Sequence, residues 1–256
     1  MLLAVHELEQ AFLYFPERAL VASPADLGLV AQEITIQTAD RVMLSGYWLA
    51  GSGERVLVWY YGNAGNLSHR LPLARVLLNR FGLDMLLVDY RGYGRSQGQP
   101  SEAGLYADGL AMYACAVQRG YDPAQIVLLG QSLGAAVAVE VARQQPAGAL
   151  ILETPFLSMP ALARELYPWL SPLMVRSRFD NAAKIGQLII PKLIVHGDQD
   201  EVVPLAHGRQ LFDLAPEPKY FALVPGAGHN DLLIAGGELY LEAWRQFLAV
   251  SHASVG

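Results

Sequence analysis

Six short apolar runs, spaced along most of the chain, constrain the fold more than any other feature: "VLVWYYG" (56–62), "MLLVDY" (85–90), "IVLLG" (126–130), "ALILE" (149–153), "KLIVHG" (192–197) and "YFALVPG" (220–226). Each is too short for a buried helix, and none alternates polar with apolar residues. Such runs are strands covered on both faces. Helical patterns separate most of them, at about 69–81, 101–119, 133–144, 204–214 and 237–250. This β-α-β rhythm predicts a mostly parallel, doubly wound sheet. Upstream, "EITIQTAD" and "MLSGYWLAG" alternate around a turn and predict an antiparallel hairpin. The total is a sheet of about eight strands.

The chain has 256 residues, 53% hydrophobic and 16% charged, enough to bury a large core in one α/β domain spanning 1–256. The irregular stretch is 154–188, whose prolines break it into short helices. It reads as a small helical cap inserted over one edge of the sheet. A net charge of −6 with no basic run argues against a nucleic-acid partner. The single cysteine, Cys115, lies in a helix-like segment and reads as a packing residue. A chain so poor in cysteine fits a reducing, cytoplasmic setting. The start, "MLLAVHELEQAFLYFPER", is too interrupted for a membrane span or a secretory signal. Val5, Leu8, Phe12 and Phe15 could form one helical stripe packed on the domain, with peripheral membrane contact as the second reading.

In open α/β sheets ligands bind beyond the carboxyl ends of the strands. Those ends carry "GNAGN", "RGYGRSQG", "QSLG", "DQDEVVP" and "AGHND". "GQSLG" lies where a strand becomes a helix, the context of a nucleophile elbow. Gly130 and Gly134 make room for a tight turn that lifts the Ser132 hydroxyl above the sheet, and the helix start supplies amide N–H groups and a positive dipole end. A serine hydroxyl needs a base. Of six histidines, His6 and His252 lie near the ends, His69 and His207 read as surface residues in helices, and His196 ends a strand in a packing or hydrogen-bonding position. His229, in the turn after the last strand, is placed to reach Ser132. The base needs a carboxylate to fix its tautomer, and "HGDQDEVVP" offers Asp198, Asp200 and Glu201. "DYRGYGRSQG" reads as a structural loop because of its glycines, with Asp89 a lesser candidate acid. No His or Cys pair has metal-ligand spacing, and "GNAGN" lacks the Lys-Ser/Thr of a phosphate loop, so neither metal nor cofactor is expected.

These motifs together resemble the α/β-hydrolase superfamily, nearest the branch of serine hydrolases with a "HGNAGN" loop, which includes esterase-like bacterial proteins and protein depalmitoylases. The resemblance runs over about residues 10–250. It implies the catalytic set Ser132, Asp200 and His229, Asp200 being the second aspartate of the H-G-x-x-D pattern and Asp198 the runner-up. It also implies an oxyanion hole from the backbone N–H groups of Asn63 and Leu133. One departure is visible: Tyr61 stands where relatives have histidine. The expected function is hydrolysis of carboxylic esters or thioesters through an acyl-enzyme on Ser132. A serine aminopeptidase is the alternative enzyme, and a silent binding protein of the same fold is the alternative of another class. Apolar residues of the insertion, Phe156, Leu157, Tyr167 and Trp169 among them, are expected to wall the substrate pocket.

Overall fold

The computed structural model describes residues 11–51, 53–169 and 175–253. Its eight-stranded sheet is built from β1 (Ala31–Gln37), β2 (Met43–Leu49), β3 (Val56–Tyr60), β4 (Asp84–Val88), β5 (Ile126–Gln131), β6 (Ala149–Glu153), β7 (Lys192–Gly197) and β8 (Lys219–Val224). The spatial order is β8-β7-β6-β5-β3-β4-β2-β1. β1 pairs antiparallel with β2, and β2 antiparallel with β4; all other neighbours are parallel. Of the strands expected to be covered on both faces, β3, β6 and β7 are buried throughout, and only the first residue of β4 and the last of β5 are half-exposed. β8 departs from that expectation, being mostly half-exposed because it is the other edge of the sheet. β1, at the edge, alternates in its second half as a one-faced strand does.

The crossover helices are α1 (Leu71–Phe81), α2 (Glu102–Gln118) and α3 (Leu133–Gln144), followed by α4 (Met159–Leu166), α5 (Ala182–Ile185), α6 (Leu205–Leu214) and the helical run Leu232–Ala253, broken at Gly237. α3 is buried from Leu133 to Val141, and its alanines let it lie close on β5. Gly109 of α2 meets α3 at a distance that no larger residue tolerates, since a Cβ there would stand 2.5 Å from Val137 Cγ1. Each fully buried valine of α3 contributes about 1.5–3 kcal/mol by leaving water. The insertion holds α4 and α5, and it is tied to α2 where Arg178 and Phe179 donate their N–H groups to the Glu102 carboxylate at 2.6 and 2.7 Å.

The chain start differs from expectation. Residues 11–13 are helical, but Phe15–Pro16 is extended and pairs with Ala64–Gly65. The ring of Pro16 disfavours helical backbone at Phe15, so the stripe ends there. Phe12 (75%) and Phe15 (49%) are exposed, and the residues that pack on the domain are Leu13 and Tyr14. Val5 and Leu8 lie outside the described residues. Among the described residues no helix is long and apolar enough to cross a membrane.

Candidate active site

Ser132 joins β5 to α3 with φ 51° and ψ −116°, a conformation that is strained for any residue with a side chain. Its neighbours explain how the turn is held. The Ser132 N–H donates to Glu153 O of β6 at 2.9 Å, and the Ser132 carbonyl accepts from Ala135 N. A Cβ on Gly130 would stand 2.5 Å from Ala135 Cα, and one on Gly134 would stand 2.0 Å from Tyr60 O. The two glycines therefore allow the helix to start hard against β5 and β3. Leu133 is the first residue of α3, where amide groups have no intrahelical acceptor.

The turns after β7 and β8 bring a carboxylate and an imidazole to the elbow. His229 Nε2 lies 2.9 Å from Ser132 Oγ, and His229 Nδ1 lies 2.8 Å from Asp200 Oδ2. Asp200 is buried, and its Oδ1 accepts from the N–H groups of Val202 (2.9 Å) and Val203 (2.7 Å). Burial alone would raise its pKa; hydrogen bonds from His196 and His229 outweigh that and hold the carboxyl well below the usual carboxylate range. Asp198 does not join this set. It is exposed, and its Oδ1 accepts from Gly226 N–H at 2.7 Å, bracing one turn against the other.

His207 departs from its expected role, whereas His196 has the packing and hydrogen-bonding role expected of it. His196 is fully buried beside Asp200, with Nε2 2.8 Å from Val203 O and 3.4 Å from Asp200 Oδ2. His207 is not at the surface: it is buried, its Nδ1 accepts from Leu157 N–H at 3.2 Å, and its Nε2 lies 2.8 Å from Glu165 of α4. The helical pattern of "PLAHGRQLF" gave no sign that the insertion would cover that position.

The loop after β3 is fixed through Tyr61. Its hydroxyl donates to Asp89 Oδ1 at 2.9 Å, and its carbonyl accepts from the Tyr90 hydroxyl at 3.0 Å. Asp89 Oδ1 also accepts from Leu67 N–H at 2.7 Å. Burial pushes the Asp89 carboxyl up to about 6, against the downward pull of Leu67 and Tyr61. Asn63 is held in turn, its carbonyl by Phe15 N–H (2.9 Å) and the Tyr93 hydroxyl (2.7 Å), its side chain by Leu13 O (2.9 Å). Tyrosine in place of histidine thus still ties this loop to the end of β4. Tyr61→Phe is expected to cost about 1–3 kcal/mol of stability, because it leaves a buried acceptor one donor short. It should also lower kcat/KM by up to about tenfold if the loop amide takes part in catalysis; denaturant unfolding and ester kinetics on the same variant check both.

Ser132 and His229 open into a cavity of about 400 Å³. Its walls are Arg70 and the Leu73, Arg75 and Val76 side of α1, the 229–234 segment, and Gly62, with Gln131, Glu153 and Thr154 around the elbow. None of Phe156, Leu157, Tyr167 and Trp169 lines it. After β6 the backbone turns at Thr154 (φ 47°) and places Phe156 in the core, where its carbonyl accepts from Asn181 Nδ2 at 2.8 Å. Leu157 packs half-buried against that core. Tyr167 and Trp169 meet edge to face at 6.0 Å and are exposed. The apolar wall comes instead from α1 and from Leu232 and Ile234.

Glu153, unassigned on the sequence, is fully buried beside the elbow. It accepts from Tyr240 Oη (2.5 Å), Trp244 Nε1 (3.3 Å) and Gln131 Nε2 (2.6 Å), and Gln131 is oriented by Trp59 Nε1 (2.8 Å). Burial raises its pKa against those three hydrogen bonds. An acidic residue closing an otherwise apolar strand was the available signal.

A family model described as "Serine aminopeptidase, S33" matches residues 66–188. That segment contains Ser132 and ends before Asp200 and His229, and its name is that of the alternative reading rather than the esterase one. Among curated proteins, an uncharacterized protein of Mycobacterium tuberculosis is 40% identical over 94% of this chain and 87% of its own. The α/β-hydrolase domain-containing protein WAV2 of Arabidopsis thaliana is 31% identical over 88% and 81% of the two chains. The human α/β-hydrolase domain-containing protein 17B is 34% identical over 77% and 67%. Among solved structures, an esterase of Pyrococcus furiosus superposes with a TM-score of 0.77 at 19% identity, over 93% of this chain and 97% of that one. With its elbow, its strand order and these relatives, the chain belongs to the α/β-hydrolase superfamily and has the serine-hydrolase fold.

Proposed function

We propose that the protein hydrolyses carboxylic esters or thioesters of short to medium acyl groups, with Ser132 as nucleophile, His229 as base and Asp200 as the acid that orients it. The observation that carries this reading is the unbroken relay from Ser132 Oγ to His229 Nε2 (2.9 Å) and from His229 Nδ1 to Asp200 Oδ2 (2.8 Å), opening into a cavity of about 400 Å³. Ser132 Oγ attacks the carbonyl carbon while its proton passes to His229 Nε2. The tetrahedral oxyanion is held by backbone N–H groups, Leu133 and Asn63 being our assignment. Collapse expels the alcohol or thiol, which takes the proton from His229 and leaves an acyl-enzyme. Water, losing a proton to the same histidine, then releases the acid.

The matched family model favours the second reading, an aminopeptidase. Such an enzyme needs a carboxylate to receive the substrate's ammonium group. Asp231 and Glu153 line the cavity, but so do Arg70 and Arg75, which oppose a cation. Glu165 and Asp180 of the insertion are engaged by His207 and by Ala183 N–H. Charge in the cavity therefore supports the ester.

Labelling of Ser132 by a fluorophosphonate probe tests for an active serine hydrolase, and no labelling would favour a silent binding protein. Parallel assays with p-nitrophenyl esters and aminoacyl p-nitroanilides separate the two enzyme readings. In an ester series from acetate to palmitate, each methylene that enters the cavity adds about 0.8 kcal/mol. The cavity lies toward the small end of ligand sites, which span about 300–1,000 Å³. Efficiency is therefore expected to climb over the first carbons and then level off. A steady climb to the sixteen-carbon chain would instead support the depalmitoylase branch.

A further inference from the structure

Two arginines line the cavity beside Ser132, and among the described residues neither forms an ion pair with a carboxylate. Arg70 is the N-cap residue of α1, at the positive end of the helix dipole, where a second positive charge is unfavourable. Its Nη2 donates to Ala64 O at 2.7 Å, and its guanidinium lies 5.4 Å from the centre of the Tyr61 ring. Its Nε is buried and has no hydrogen-bond partner. Burial pushes the guanidinium pKa down, yet an arginine stays charged at neutral pH. Arg75 follows on the same helix, exposed to solvent at the cavity wall.

Among the described residues, neither acidic residue of the cavity forms an ion pair with these arginines. Asp231 accepts from Gly228 N–H at 2.6 Å. Glu153 is enclosed by Tyr240, Trp244 and Gln131, and burial favours its neutral form. Tyr61, the ring beneath Arg70, already donates its hydroxyl to Asp89. What remains is a cationic wall of two arginines, lining the cavity in which the ester must lie. A neutral substrate would make no use of it, and a cationic one would be repelled. A carboxylate or phosphate oxygen would complete it, because a guanidinium recognises both through charge-assisted hydrogen bonds.

We propose that Arg70 and Arg75 form a subsite for an anionic group, so that the natural substrate is an ester or thioester carrying a carboxylate or phosphate. This rests on the serine-hydrolase reading and narrows its substrate class. Three p-nitrophenyl esters of similar acyl length test it: the neutral pentanoate, the glutarate monoester and the 4-phosphonobutanoate. For the native protein at low salt, kcat/KM for at least one anionic ester should exceed that for pentanoate by about tenfold or more. Added sodium chloride should shrink the difference. In the double variant Arg70→Gln/Arg75→Gln the ratio should fall to near one. Because it is a ratio, any loss common to all three esters cancels. Which anionic ester leads tells a carboxylate-bearing substrate from a phosphate-bearing one. No anionic preference in the native protein, or a preference that survives the double variant, overturns the subsite. If none of the three is hydrolysed, the ester reading fails instead, and the subsite is judged by calorimetric titration of the glutarate monoester into Ser132→Ala protein. Saturable binding there, weakened by the two arginine substitutions, upholds it; no saturable binding overturns it.

Discussion

Replacing Ser132 by alanine is expected to reduce ester hydrolysis by at least about three orders of magnitude while leaving the fold intact. Among the described residues the hydroxyl has one partner, His229 Nε2 at 2.9 Å, and it braces no other element. The bonds that hold the elbow use backbone atoms, Ser132 N–H to Glu153 O and Ala135 N–H to Ser132 O, and both survive in alanine. Serine and alanine bear the strain of φ 51° alike, since both carry a Cβ. Stability should therefore stay within about 0.5 kcal/mol of the native value. Denaturant unfolding, hydrolysis and fluorophosphonate labelling of the one variant decide the matter. Near-native turnover in a folded Ser132→Ala protein would remove the nucleophile and, with it, the mechanism.

Asp200→Asn should be nearly as damaging, with a loss of about 10³–10⁴ in kcat/KM, for a reason visible in the hydrogen bonds. Asp200 Oδ1 already accepts from Val202 and Val203 N–H, so an asparagine there keeps its carbonyl oxygen on that side. Its amide then faces His229 Nδ1 and can only donate. That places the imidazole proton on Nε2, where the base must instead accept from Ser132. Asp198→Asn keeps an acceptor for Gly226 N–H and leaves the relay alone, so its loss should stay below about tenfold. Parallel kcat/KM measurements compare the two. Equal losses, or a larger one at Asp198, would move the acid to the other carboxylate.

The interior strands were legible because burial on both faces leaves a plain mark, continuous apolar runs, and a strand ended close to where each run did. β8 carries such a run too, yet as an edge strand it is mostly half-exposed. That Ser132, Asp200 and His229 come together was legible for a related reason. Each is a reactive side chain in a short turn directly after such a strand, and turns at one end of a parallel sheet converge whatever their separation along the chain. Glycine spacing also marked the elbow, since Gly130 and Gly134 meet backbone of their own and the neighbouring strand. The cavity wall carried no such mark. It forms where the start of α1 meets the 229–234 segment, more than 150 positions later, and a run such as "HRLPLARV" looks like any amphipathic helix start. Hydrophobicity alone pointed to the insertion, but a turn at Thr154 sends Phe156 inward, and Trp169 ends 80% exposed. His207 was misplaced likewise, since the residue that covers it, Glu165, belongs to another element.

The turns that hold Asp200 and His229 are fastened to each other: Gly226 N–H reaches Asp198 Oδ1 at 2.7 Å, and Gln199 N–H reaches Ala227 O at 2.9 Å. They rise from β7 and β8, the outermost pair on one side of the sheet, whereas Ser132 rises from β5 in its interior. Asp200 and His229 thus ride together on the border of the molecule, and the contact between His229 and Ser132 is a seam between border and centre. Border elements open at lower free energy than central ones. Warming should therefore part the seam before it melts the core, so that the chain idles while still folded. Its working temperature range is then governed by how tightly β8 is stitched to β7, not by how well the centre is packed.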